Sequence, residues 1–162
     1  MPHEAYVGLL KALAQQLRGV DPVAFVEAQN LAVSGRRIEF SLERDAHDAA
    51  EDRLIVRCDV LRLPAPASES ISRKLLRANN LWAGTRGATL GLRGDDEVIL
   101  SVPARIGSFD GVRLAVMVAG LLGQADVWAL ELGRNPGLNP NSNPTPSPSS
   151  AFAQNAPLHM SV

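Results

Sequence analysis

Short runs of alternating apolar and polar residues, joined by tight turns, constrain the fold of this chain most. Residues 31–33 and 38–42 flank Ser34 and Gly35, a turn signal typical of a β-hairpin. Residues 54–61 predict a third strand, and residues 88–92 and 98–102 predict two more. In the third strand, alternation predicts a core face and an opposite face, the latter formed by Ile55, Arg57, Asp59 and Leu61.

Three segments at helical spacing surround these strands. The first carries an apolar stripe of Tyr6, Leu9, Leu10, Leu13 and Leu17, and Gly19 and Pro22 are expected to end it. The second begins with Ser68 as its N-cap, and the third runs from Ser108 to about Leu132. That last helix is apolar around most of its circumference, which predicts that it is buried or shared with a partner.

The predicted order is therefore α-β-β-β-α-β-β-α. Antiparallel hairpins with helices between and after them indicate an α+β sandwich with a twisted antiparallel sheet. A doubly wound nucleotide-binding sheet is disfavoured, because its strands would alternate one by one with helices.

The composition changes abruptly at Asn135. Residues 135–162 contain six Pro, five Asn and five Ser, and no Lys, Arg, Asp or Glu. Such a segment has little apolar surface to offset its ordering entropy, so we expect a disordered tail. The folded domain is predicted to span residues 1–134.

Charge and hydropathy narrow the function classes. Sixteen basic and 17 acidic residues give a net charge of −1, and aromatic residues make up 4% of the chain, so nucleic-acid binding is disfavoured. The N-terminus lacks the basic region of a secretory signal. The longest apolar run, residues 114–122, is shorter than the roughly 20 residues of a membrane span. We expect a cytoplasmic protein without membrane insertion.

The sequence offers little for catalysis. Its histidines, His3, His47 and His159, lie far apart, and Cys58 is predicted to be a small buried apolar residue. We therefore predict no catalytic residue, no cofactor and no metal. An enzyme remains an alternative, for which a deep pocket lined by His47, Arg57 and Asp59 would speak.

The sequence has more apolar positions than are needed to fill one side of a core. The additional ones lie off the main helical stripes or on the outward side of the third strand: Val7, Ile55, Leu61, Leu76 and Leu81. A sister subunit or a non-globular client would cover such positions.

Residues 75–100, LLRANNLWAGTRGATLGLRGDDEVIL, resemble the Tir-chaperone (CesT-like) family of class I type III secretion chaperones. The similar features are a Leu-Leu-x-Ala-Asn helix end, a glycine-containing turn, an Ala-Thr-Leu-Gly-Leu strand, a short acidic turn and a second strand. The predicted element order agrees with that family over about residues 1–132.

The resemblance implies a bacterial cytoplasmic homodimer that holds the N-terminal segment of an effector in extended form. The client would lie over apolar patches of the first helix and first three strands. From periodicity we assign candidate client contacts, which are Val7, Leu31, Val33, Ile55 and Leu61. Leu76 and Leu81 are the candidate dimer contacts. The alternative is an adaptor of the same fold that binds a folded partner and has no role in secretion.

Overall fold

The computed structural model describes residues 2–45, 48, 52–64, 66–80 and 84–134. The helices of this part are α1 (Pro2–Ala14), α2 (Pro22–Ala28), α3 (Glu69–Asn79) and α4 (Gly111–Gly133), with a 3₁₀ turn at Ile106–Ser108. The strands are β1 (Asn30–Val33), β2 (Arg36–Glu43), β3 (Arg53–Arg62), β4 (Thr89–Arg93) and β5 (Glu97–Arg105). The predicted α+β class is confirmed. The tail, residues 135–162, lies outside the described residues.

The five strands form one antiparallel sheet in the order β1-β2-β3-β5-β4. Alternate residues of each strand are buried, so one face of the sheet carries the core. Across the centre, Ile38 pairs with Cys58 and Cys58 pairs with Leu100, and all three side chains are fully buried. The helices pack on this inner face, where α4 contacts β3 and α1.

The hairpin of β1 and β2 turns at Ser34 and Gly35, as the sequence predicts. Both residues have positive φ, 52° and 76°, which makes a type I′ turn whose twist suits a two-residue hairpin. The turn fixes the register by placing Val33 opposite Arg36. This register determines which backbone N–H and C=O groups of β1 point away from the sheet.

A β-bulge interrupts β3 between Asp59 and Leu61. The guanidinium of Arg36 donates hydrogen bonds to the carbonyls of Asp59 and Val60, and it also pairs with Asp126 of α4. The predicted outward position of Leu61 is wrong, because the bulge changes the alternation and Leu61 packs against the core.

The sequence interpretation missed α2. Pro22 does not only follow the first helix but opens the second, at the first helical position, where its missing N–H costs nothing. Asp21 is the N-cap, and its carboxylate accepts a hydrogen bond of 2.9 Å from the N–H of Val23. α1 ends at Ala14, earlier than Gly19 suggested.

The N-caps of the later helices show one success and one error. Ser68 caps α3 as predicted, accepting a hydrogen bond from the N–H of Ile71. α4 is capped by Asp110 instead of Ser108, which closes the preceding 3₁₀ turn. Gly111 must be glycine, because a Cβ there would lie 2.4 Å from the carbonyl oxygen of Ala12 in α1.

α4 is the longest of the helices. Within the described ranges it is the one helix that length and composition alone would allow to cross a membrane. In this fold its inner side packs on the sheet, with a buried series formed by Leu114, Val118, Leu121, Ala125 and Leu132.

Candidate functional site

The first candidate binding surface is the outer edge of β1. The N–H of Phe40 donates to the carbonyl of Gln29, so hydrogen-bonded pairs with β2 recur at every second residue, at Leu31 and Val33. The backbone N–H and C=O of Asn30 and Ala32 consequently point away from β2. No described strand pairs with this side of β1, which is the end of the sheet.

The structure separates the five candidate client residues. Val7, Leu31, Val33 and Leu61 pack with the core on the inner side of the sheet, whereas Ile55 lies on the outer face between Ser41 and Pro103. Leu31 is 9% exposed, and the others are half-buried. Leu31 and Val33 share a strand and a face, so they line the inner side of the β1 edge.

The opposite end of the sheet, β4, is capped by a side chain. The amide of Asn79 in α3 donates to the carbonyl of Leu90 and accepts from its N–H, both at 2.8 Å. These two bonds imitate those of a neighbouring strand. Leu90 is almost fully buried, so the paired groups are also shielded from water.

α3 also presents one of the candidate dimer residues. Leu76 is 70% exposed. It precedes Asn79 by one helical turn, so it lies on the side of α3 next to β4. Lys74 points the other way and donates a hydrogen bond of 2.9 Å to the carbonyl of Glu131 in α4. Leu81 lies outside the described residues.

The third surface is the side of α4 turned away from the sheet. Its large apolar residues are Val112, Val116, Val127 and Leu130, which are 57 to 67% exposed. Three residues of this side, Gly120, Gly123 and Val127, also line an open cleft of about 540 Å³ between the middle of α4 and the loop before β4. Trp128 donates a hydrogen bond to the carbonyl of Gly84 across that cleft.

Comparison with protein families decides what kind of protein carries these surfaces. The model of the Tir chaperone protein (CesT) family matches residues 8–129, three quarters of the chain. The chain belongs to the CesT family. This membership makes it a type III secretion chaperone, a class that binds effectors.

A solved structure is similar as well. A chain in the crystal structure of the ExsC-ExsE complex superposes with a TM-score of 0.59 at 17% sequence identity. The match covers 80% of this chain and 94% of that one. At this identity the likeness shows the fold alone. A search of curated proteins found no significant match.

The CesT family is one of binding proteins. Cys58 is fully buried, and burial raises its pKa to about 11, so at neutral pH the thiol is protonated and shielded. Among the described residues no three His, Cys, Asp or Glu side chains form a group that could hold a metal. His47 lies outside the described residues.

The outer sheet face of this CesT-family chain is polar and internally paired. Arg93 reaches Glu39 at 2.6 Å and Asp59 at 3.4 Å, and Arg37 pairs with the same two carboxylates. Arg57 donates a hydrogen bond to Ser41. Each of these arginines therefore has a hydrogen-bond or ion-pair partner within the chain.

Sequence reasoning missed two features of these surfaces. The outward direction of the backbone groups of Asn30 and Ala32 could have been predicted from the sequence, because a two-residue turn fixes which residues bond across the hairpin. The hydrogen bonds between Asn79 and Leu90 could not have been predicted in this way. In the sequence Asn79 is typical of an ordinary residue at a helix end, and its role depends on α3 and β4 lying side by side.

Proposed function

We propose that this CesT-family chain acts in the bacterial cytoplasm as a homodimer. It binds the N-terminal segment of a type III secretion effector in extended form and keeps that segment competent for secretion. The observation that carries the proposal is the contrast between the two sheet edges. β1 directs two residues' backbone groups outward, whereas β4 is closed at Leu90 by Asn79.

An extended segment suits the β1 edge for a physical reason. A strand laid beside β1 would pair its backbone with Asn30 and Ala32, as in β-strand addition, whatever its sequence. Its alternate side chains would lie toward the inner side of the edge, near Leu31 and Val33. Because Leu31 is nearly buried, we expect Val33 and the half-buried Val7 to provide more of the apolar contact.

Two other client candidates have different settings. Ile55 is on the polar outer face, so a client that contacts it must pass around the sheet. Leu61 is half-buried beside the bulge. We propose both as secondary contacts.

The homodimer is proposed to form through the other end of the molecule. Leu76 is exposed beside the capped β4 edge, and Leu81 follows it in sequence. A dimer through this side would leave both β1 edges accessible, because β1 and β4 are at opposite ends of the sheet.

The test begins with capture of the partner. The tagged full-length chain is purified from the source cytoplasm, the bound protein is identified by mass, and light scattering gives the stoichiometry. We expect a ratio of two copies of this chain to one effector, whose N-terminal segment is protease-sensitive alone and protected in the complex. A bound partner that is equally protease-resistant alone would favour the adaptor function instead.

A matched pair of variants then tests the site. Ala32→Pro removes the outward N–H and obstructs an added strand, whereas Ala32→Val keeps the N–H. We expect Ala32→Pro to weaken effector binding at least tenfold, about 1.4 kcal/mol, and Ala32→Val to bind within about twofold of the parent. Equal binding by both variants would exclude the β1 edge as the client site.

A further inference from the structure

The outward side of α4 is apolar along most of its length. We call it the outer α4 face, formed by Val112, Val116, Gly120, Gly123, Val127 and Leu130. At roughly 100° per residue these positions follow one stripe opposite the buried series of the same helix. The valines and the leucine are more than half exposed, and exposed apolar residues grouped on one surface mark interaction sites.

This face has a two-fold pattern. Gly120 and Gly123 are equally far from the helix midpoint between residues 121 and 122, and so are Val116 and Val127. An antiparallel copy of the helix, turned about that midpoint, would therefore place glycine against glycine and valine against valine.

The flanks of the stripe follow the same two-fold pattern to within one residue, about 1.5 Å along the helix axis. On the helical wheel Val112 and Leu130 share one flank, while Arg113 and Glu131 share the other. In an antiparallel pair, positions on the same flank face each other. Arg113 of one copy would then lie near Glu131 of the other, and this would occur twice across the axis. Within one chain Arg113 pairs with Asp110 at 3.9 Å and Glu131 with Lys74 at 3.3 Å, and both side chains remain at least half exposed.

We propose that two copies of this chain associate through the outer α4 face, with the helices antiparallel and the axis near residues 121 and 122. The two glycines allow the backbones to approach closely at the centre. Val116 packs against Val127 of the second copy on each side, and the Arg113 and Glu131 pairs set the direction and register.

The reciprocal pattern favours a second copy over a client segment. A client needs an apolar surface, but it does not need that surface to match itself with opposite charges at symmetric positions. This interface is distinct from the proposed one at Leu76 and goes beyond the proposed function. A chain that uses both faces would assemble into more than two copies, so each test below compares a variant with its parent.

Cross-linking tests the direction of the helices. Val116→Cys and Val127→Cys chains are prepared separately, mixed in equal amounts and oxidised, with Cys58 remaining buried. We expect a disulfide-linked pair in the mixture and at most a trace with either variant alone, since identical positions would be roughly 16 Å apart along the axis. Cross-linking of Val116→Cys with itself, or none in the mixture, would overturn the proposal.

Charge reversal tests the register. Arg113→Glu and Glu131→Arg each place like charges opposite one another, whereas the double variant restores opposite charges. By sedimentation over a dilution series, we expect each single variant to raise the dissociation constant about tenfold and the double variant to return within about threefold of the parent. Val116→Asp should halve the assembled mass.

The same variants separate this inference from the proposed function. Effector binding should be unchanged in Val116→Asp, because the client is proposed to occupy the β1 edge. If Val116→Asp leaves the mass unchanged and abolishes effector binding, the outer α4 face is a client site and self-association through it is refuted. If only Ala32→Pro affects the effector, the two surfaces act independently, as proposed.

Discussion

The two edge strands of the sheet, β1 and β4, differ in how their outward backbone groups are bonded. β1 and β4 are both edge strands in antiparallel pairs, and an edge strand exposes backbone groups that can pair with another chain. At β4 the amide of Asn79 occupies the donor and acceptor of Leu90. At β1 the corresponding groups of Asn30 and Ala32 face outward. A single side chain thus closes the β4 edge at Leu90.

The difference has an energetic consequence for strand addition. A strand that joined β4 would first have to displace Asn79 from two good hydrogen bonds, each worth about 1 kcal/mol net. Among the described residues, none outside β2 is hydrogen-bonded to the backbone of Asn30 or Ala32, so a strand that joined β1 would not have to displace such a residue. The sheet is therefore biased toward accepting an extended segment at β1.

The largest expected contrast is in amide hydrogen exchange. In the client-free protein we expect the N–H of Leu90 to exchange roughly a thousandfold more slowly than that of Ala32, because it is buried and bonded to Asn79. Two-dimensional NMR in deuterated buffer measures both rates, corrected for intrinsic exchange. Similar rates would mean that the two edges are equally open and would remove the basis of the comparison.

Opening the closed edge should cost stability. Asn79→Leu leaves the buried N–H and C=O of Leu90 without their partner, so we expect the free energy of unfolding to fall by about 2–4 kcal/mol. Denaturant titration measures the change. Asn80→Ala, at the exposed next position, is the control and should change stability by about 0.5 kcal/mol or less. Equal effects of both variants would show that Asn79 does not hold the edge.

The comparison also shows what the sequence could reveal. The Ser34-Gly35 turn and the alternation in β2 specify the first hairpin locally, so the hairpin was predicted correctly. The N-cap role of Ser68 is equally local. These features depend on the backbone preferences of a few neighbouring residues, which the sequence states directly.

The errors came from residues whose roles depend on distant partners or admit two local meanings. Pro22 suits both the end of one helix and the start of another, and only Asp21 as N-cap decides between them. The bulge after Asp59 is stabilised by Arg36 from another strand, so the alternation of apolar and polar residues in β3 does not predict it. Asn79 gains its role from Leu90, 11 residues later.

The centre of the sheet provides a reference for both edges. Cys58 lies in β3 between β2 and β5, and burial raises its pKa from 9.0 to about 11. Between these pH values the unfolded chain releases a proton that the folded chain retains, so the free energy of unfolding falls as pH rises. The thiol's share of the loss is on the order of 2 kcal/mol, and most of it occurs between pH 9 and pH 11.

Denaturant titrations of the parent and of Cys58→Ala from pH 8 to 11 isolate this effect. Tyr6, whose pKa burial raises to about 12, contributes to both proteins and cancels in the difference. We expect the parent to lose more stability with pH than the variant. Parallel curves would mean that the thiol ionises as readily in the fold as outside it, and that the centre of the sheet is no better shielded than its edges.

The smallest expected effect is on the open edge itself. Proline at position 32 removes an N–H that points away from β2, so no bond within the sheet is lost, and Ala32→Pro should lower the free energy of unfolding by about 1 kcal/mol or less. Ala32→Val, which keeps the N–H, is the control in the same denaturant titration. A loss of 3 kcal/mol or more with proline alone would mean that the Ala32 N–H is already bonded in the folded chain. The β1 edge would then be closed like β4, and the asymmetry on which client binding is proposed to rest would disappear.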